Sequence, residues 1–360
     1  MAVKMRNRLA LMIEKHQVAI IGAGPIGLEL AVAFKQFGID YVQIDAGQIG
    51  STIAWYPIQM LFHSSSERLG LAGVPIQTST QQKITREEYL AYLRALVMQF
   101  GLRVRSYERV TRASRLADGG FELVTRAVDG EHRYEVEHVV LAIGAFHAPR
   151  LLDIPGEEMT HVSHYFHDPH TYFGKKLLIV GGRNSSVEAA VRCQRAGADV
   201  TLSYRRDDFD PKVVKFWLLP EVRAQIRDGL IRYLPRTTPI EIGNGTAVLA
   251  PADERGAAIP GAPPIEIDAD FVLLLTGYRQ DPTLFDQLGV ELRGDDRQPV
   301  YDPETMETNI PGVFVAGTAV AGTPPRKVTV IVETCHVHVP RILAAIQGRR
   351  VALPDGAVDD

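Results

Sequence analysis

The chain has 360 residues, more than one hydrophobic core usually organises, so two domains are expected. Its 46% hydrophobic and 23% charged residues are the composition of a soluble globular protein. A net charge of −4 gives no case for nucleic acid or an anionic membrane surface, and no apolar run approaches the ~20 residues of a membrane span.

Residues 1–15 read as a mildly basic extension around Leu9–Ile13, or as an over-long start with Met12 the true one. The apolar part is too short for a signal peptide and lacks a small-residue cleavage site, so a cytoplasmic protein is expected. Val18–Ile21 then predicts a strand, Gly22-Ala23-Gly24-Pro25-Ile26-Gly27 a tight turn, and Leu28 to Phe37 a helix. Glycine lets the backbone turn sharply and approach a pyrophosphate, whose charge sits on the helix N-terminus. The next strand, Tyr41–Asp45, ends in an acid placed to take ribose hydroxyls. Strand, turn, helix and acid in register predict a dinucleotide site.

Ile84 to Phe100 reads as a helix capped by Thr85, followed by strands at Leu102–Tyr107, Phe121–Thr125 and Tyr134–Leu141. The last runs into Ala142-Ile143-Gly144, and Pro149 and Pro155 mark a connection to a second unit. There His161, His164, His167 and His170 recur every third residue. Asp168-Pro169 interrupts any helix across them and no cysteine joins them, so a polar loop is expected and a metal site is not.

A second strand–turn–helix follows: Leu177–Val180, Gly181-Gly182-Arg183-Asn184-Ser185-Ser186, and Val187 to Ala196. Arg183 and Ser186 replace the second and third glycines of the usual pattern. The strand after it, Asp199–Ser203, ends in Tyr204-Arg205-Arg206 rather than in an acid. Guanidinium pairs bidentately with phosphate where a carboxylate repels it, which favours NADPH over NADH. Phe271–Tyr278, with Gly277, returns toward the first domain, and Thr308–Thr318 and a helix from about Lys327 to Gln347 complete it. The expected division is 16–158 plus 283–352 for the first domain, 159–282 for a second inserted in it, and 353–360 for a loose tail. The fold class is α/β, with two Rossmann-like dinucleotide-binding domains. The two cysteines, Cys193 and Cys335, form no CxxC and no disulfide is expected.

Taken together, the first turn with Asp45, the Ala142–Gly144 turn, the second turn with its arginines and the Pro311–Gly317 run resemble the two-dinucleotide-binding flavoproteins. His63–Glu67, His164–Phe166, Gly182–Ser186, Phe216–Glu221, Thr276–Tyr278 and Glu304–Asn309 resemble more narrowly the YpdA-type bacillithiol disulfide reductases, relatives of thioredoxin reductase. The resemblance implies FAD on Gly22, Gly24, Pro25, Ile26, Gly27 and Asp45, with Ala142, Gly144, Gly317 and Thr318 also at the flavin nucleotide. It implies NADPH on Gly181 to Ser186, Arg205, Arg206 and Gly277. It brings Trp55, Tyr56 and His63 against the isoalloxazine, where an aromatic side chain stacks or simply packs. Hydride would pass from nicotinamide C4 to flavin N5 and onward to an acceptor.

Several slots depart from the family. The redox CxxC of thioredoxin reductases falls on His164 and His167, the cysteine that YpdA-type proteins carry in the first turn falls on Ile26, and the usual Gly-Asp of the last FAD motif is Gly317-Thr318. Cys335, placed along the last helix beside His336, is the candidate for a lowered-pKa catalytic thiol; its alternative is a small packing residue. The acceptor expected from the resemblance is a low-molecular-weight disulfide of the bacillithiol type. A small redox protein (ferredoxin or flavodoxin), oxygen insertion, and a non-catalytic FAD-binding role are the alternatives. The FxGxxxH signature of flavin monooxygenases is missing around Gly156. A homodimer is expected.

Overall fold

The computed structural model describes residues 13–79, 81–323 and 330–349. Backbone packing divides the described residues into two compact units, one of residues 13–54, 64–79, 81–148, 278–323 and 330–349 and one of residues 55–63 and 149–277. The cuts expected at 158/159 and 282/283 thus fall at 148/149 and 277/278, and the segment carrying Trp55, Tyr56 and His63 groups with the second unit.

In the first unit a seven-stranded sheet runs Val104–Arg105, Tyr41–Ile44, Ile13–Ile21, Gly130–Leu141, Phe121–Ala127, Arg109–Arg115, with Val313–Val315 also on Gly130–Leu141. The parallel part is apolar on both faces, as a doubly covered sheet requires: Val18, Ala19 and Ile20 are fully buried. Ala19 stands opposite Val42 on one side and Val139 on the other. Phe121–Ala127 and Arg109–Arg115 add an antiparallel ribbon. Its outer strand was not expected: Arg109–Arg115 buries only Ala113, so it carries no apolar alternation to read.

Two further elements differ from expectation. The first strand begins at Ile13, because the twelve-residue strand Gly130–Leu141 continues the pairing through Arg133–Glu135 and Lys15 pairs with Glu135 at 2.6 Å. The last helix covers only His338–Ile346, so Cys335 precedes it; a helix from further back would hold Pro340 in its interior, whereas here Pro340 sits in the first turn. Lys327 lies outside the described residues. The helix Arg86–Phe100 forms as read. The Glu88 amide donates to the Thr85 hydroxyl at 3.2 Å and the Thr85 amide to the Glu88 carboxylate at 2.8 Å, a capping box worth about 1 kcal/mol.

The second unit has a five-stranded parallel sheet in the order Ile231–Pro235, Asp199–Tyr204, Lys176–Val180, Phe271–Leu274, Val162–Ser163. Strand alternation assigns its two covers. Leu177 and Ile179 pack with Val187, Val191 and Val222 of the helices Asn184–Arg195 and Leu218–Arg227. Leu178 and Val180 face Ile242, Leu249 and Ile267 of a three-stranded antiparallel sheet. No described helix is long and apolar enough to cross a membrane.

Candidate functional site

In the first unit the carboxyl ends of the parallel strands gather three short segments. Gly22 has φ +117°, and a Cβ there would overlap the Ala142 carbonyl oxygen; a Cβ on Gly27 would overlap the carbonyl oxygen of Gly22. Gly24 is the opposite case, with nothing within 4 Å of its Cβ position. The first turn therefore needs glycine for its own closure at two places and leaves an open cradle at the third. It starts the helix Pro25–Gln36, whose first turn has no acid and whose N-cap makes no side-chain bond. Unclaimed amide groups at such a terminus are a fitting partner for a pyrophosphate.

Asp45 closes the turn from the next strand. Its carboxylate accepts the Ala23 amide at 2.6 Å and the Gly47 amide at 2.7 Å. Burial raises its pKa, and the two amide bonds oppose that shift. Gly144, with φ +78°, places its Cβ position 3.8 Å from the Thr318 hydroxyl, so the Ala142–Gly144 and Gly317–Thr318 turns adjoin. Gln280 ties them: its side-chain amide donates to Gly144 at 3.0 Å and to Ala319 at 2.9 Å. Ile26 is buried with its Cβ 3.4 Å from the Cβ position of Gly317. The Gly317 amide donates to His338 Nδ1 at 3.1 Å. Gln280 and His338 were not foreseen; a lone buried Gln or His carries no motif.

In the second unit the turn is built differently. Gly181 has φ +139° with the Leu275 carbonyl 2.7 Å from its Cβ position, and Gly182 lies under the Tyr204 ring. Ser186, in the third-glycine slot, accepts the Arg183 amide at 3.0 Å and donates to the Arg183 carbonyl at 2.9 Å, so a hydroxyl does the closing. Ser185 is exposed, and the helix Asn184–Arg195 again has no acid in its first turn. Asn184 is turned to other work: its side chain donates to Val213 at 3.0 Å and accepts from the Lys215 amide at 2.7 Å. Arg205 lays its stem against Gly256, whose Cβ position is 3.0 Å from Arg205 Cγ. Burial lowers the Arg183 pKa and the nearby Arg205, Arg150 and Arg206 add to that effect. Gly277 has φ +105°.

Trp55 meets Tyr165 at 5.6 Å, Tyr56 meets Phe62 at 6.0 Å, and His63 meets Trp217 at 5.7 Å between ring centroids, all inside the second unit. Trp55 and His63 are nonetheless exposed. His161 bonds the Gly243 carbonyl at 3.1 Å, and His164 stands 3.5 Å from buried Glu157, which also accepts the amides of Leu152 and Asp153. Pro169–Tyr172 forms a short 3-10 turn capped by Asp168.

Cys335 is the candidate for a reactive thiol. It is fully buried, and burial pushes its thiol up to about 12. The flanking His336 instead binds Glu29 at 2.8 Å and the Arg68 carbonyl at 3.1 Å. Cys193 is likewise buried and pushed up to about 12.

The pyridine nucleotide-disulphide oxidoreductase family matches residues 19–317. Among curated proteins the chain is 33% identical over 335 residues to a bacilliredoxin reductase of Bacillus subtilis, covering 93% of this chain and 98% of that one. It is 28% identical over 306 residues to a ferredoxin–NADP reductase of Ignicoccus hospitalis, covering 83% and 88%. Among solved structures, a bacillithiol disulfide reductase of Bacillus cereus superposes with a TM-score of 0.86 at 33% identity, covering 93% of this chain and 99% of that one. The chain belongs to the pyridine nucleotide-disulphide oxidoreductase family: it is a flavoprotein oxidoreductase of the two-Rossmann-domain, thioredoxin-reductase-like fold, with FAD and NADPH as its cofactors.

Proposed function

We propose that the chain uses NADPH to reduce a low-molecular-weight disulfide of the bacillithiol type. The observation that carries this reading is the match, at 33% identity and a TM-score of 0.86, to a bacillithiol disulfide reductase over almost the whole of both chains. The first unit holds FAD, its pyrophosphate at the open Gly24 cradle on the helix N-terminus, its ribose near Asp45, and the rest of the nucleotide along Gly144, Gly317 and Thr318. The second unit holds NADPH, its pyrophosphate at Gly181–Ser186 and its 2′-phosphate at Arg205 and Arg206. Bound FAD supplies the two-electron relay between NADPH and the acceptor. The chain's own residues bind and orient the two nucleotides. With the disulfide as the favoured acceptor, the two unpaired cysteines suit a cytoplasmic setting. The family resemblance supports a homodimer, which light scattering checks.

One observation favours a second reading. The chain has only two cysteines and both are fully buried, which suits a one-electron protein carrier such as ferredoxin as acceptor. The FAD-loaded protein is assayed for NADPH consumption with bacillithiol disulfide, ferredoxin and oxygen in parallel. The disulfide is expected to give the highest kcat/KM. A disulfide rate no greater than the acceptor-free rate, beside rapid ferredoxin reduction, overturns the first reading in favour of the second.

A further inference from the structure

Arg150 stands among the arginines of the second unit without belonging to either sequence motif there. Its backbone is fastened to the end of the strand Phe271–Leu274: the Thr276 hydroxyl donates to the Arg150 carbonyl at 2.7 Å, and the Arg150 amide donates to the Gly277 carbonyl at 2.9 Å. Its side chain is laid across Gly277, whose Cβ position lies 3.7 Å from Arg150 Cδ and 3.8 Å from Nε. A Cβ at 277 would only touch that side chain, at ordinary van der Waals distance. The same strand end touches the second turn, since the Leu275 amide donates to Val180 at 2.9 Å and the Leu275 carbonyl is 2.7 Å from the Cβ position of Gly181.

Sheet order separates Arg150 from Arg205 and Arg206. The pair follows Asp199–Tyr204, which neighbours Lys176–Val180 on one side, whereas Arg150 rides on Phe271–Leu274, its neighbour on the other. With strands ~4.8 Å apart, the two groups are anchored on the order of 10 Å from one another, astride the turn that opens the helix. A dinucleotide with its 2′-phosphate on the pair and its pyrophosphate over the turn extends its nicotinamide half toward Arg150. We propose that Arg150 is a further ligand of NADPH, binding the pyrophosphate phosphate on the nicotinamide side. The inference rests on the reading that the second unit holds NADPH. Arg205, Arg150 and Arg206 each lower the Arg183 pKa as like charges, behind the larger effect of burial, as a cluster suited to a polyanion would.

Equilibrium binding by the FAD-loaded full chain tests it, with 2′-phospho-ADP-ribose and 2′,5′-ADP as probes; the second lacks the nicotinamide-side phosphate. Arg150→Gln is expected to weaken 2′-phospho-ADP-ribose about tenfold or more while leaving 2′,5′-ADP within about twofold, and Arg150→Lys to restore part of the loss. The 2′,5′-ADP measurement also reports that the variant is folded. Unchanged binding of both probes, or equal weakening of both, overturns the role of Arg150 alone. A native protein that binds neither probe overturns the NADPH assignment and this inference with it.

Discussion

The carboxylate of Asp45 accepts the amide of Ala23, inside the first glycine turn, at 2.6 Å. The residue that the spacing assigns to a ribose is therefore also the clasp of the first glycine turn. A carboxylate can do both, since each oxygen carries a second acceptor site.

Asp45→Asn is expected to damage both roles. Asn keeps one acceptor oxygen but turns an NH2 group toward the second amide donor, leaving a part-buried N–H without its partner at a cost of about 1–3 kcal/mol. Thermal unfolding of the protein stripped of FAD should fall accordingly, and FAD content after purification should drop. Native FAD content with an unchanged Tm would show that the carboxylate serves neither turn nor ribose.

The arginine pair makes a cleaner separation between cofactors. Arg205→Ala and Arg206→Ala are each expected to raise the KM for NADPH roughly tenfold and leave that for NADH within about twofold. Gly256→Ala should copy the Arg205 phenotype, because a methyl at φ +86° is strained and would overlap the Arg205 stem. Equal loss toward both nucleotides would mean that the arginines do not read the 2′-phosphate.

Two histidines, two residues apart, should shape the pH dependence of stability in opposite directions. His338 is buried, accepts the Gly317 amide on Nδ1, and is lowered from 6.5 to about 4, mainly by burial and then by Arg341 and His336. The unfolded chain binds the proton that the folded one refuses, so stability is lost as pH falls from about 6.5 toward about 4, by as much as about 3 kcal/mol. His336 faces two acceptors, the Glu29 carboxylate and the Arg68 carbonyl, and its pKa is raised chiefly by the Glu29 bond. Its contribution is fully present below its ordinary value of 6.5 and disappears as pH rises through the raised one. His338→Leu should flatten the Tm–pH slope on the acid side and His336→Gln on the neutral side. Unaltered slopes in both variants would remove the two rings from the account.

What was legible in the sequence is what repeats a physical pattern. Val18–Ile21 before a glycine turn, Thr85 with Glu88 before an apolar helix, and alternating Leu177 to Val180 each constrain the backbone locally, and each forms its element. Arg109–Arg115 was illegible because its pairing, not its side chains, makes it a strand. The last helix begins later than its sequence suggests because Pro340 is tolerated in a first turn and not in a helix interior. At the site, Asn184 matches a motif yet bonds the 213–215 loop, while Gln280 and His338 match none. Such roles depend on which strand ends meet, and no local spacing records that.

The cysteines carry the sharpest test of the acceptor. Cys193 and Cys335 are both fully buried with thiols pushed up to about 12, so neither is a thiolate near neutral pH. Cys193→Ser and Cys335→Ser should therefore leave NADPH oxidation and onward transfer unchanged, and both thiols should resist alkylation in the folded protein. The slot where the resembling proteins carry a cysteine holds Ile26, in the first turn of a helix whose dipole lowers a thiol pKa. Ile26→Cys shortens a buried side chain that packs on Gly317, so a cost of about 1–2 kcal/mol and near-normal FAD retention are expected. A thiol there can form a mixed disulfide where isoleucine cannot, and turnover of bacillithiol disulfide should rise. If it does not, while ferredoxin is reduced well by the native chain, then the missing cysteine is no lesion in disulfide chemistry, and the electrons leave this protein for a carrier instead.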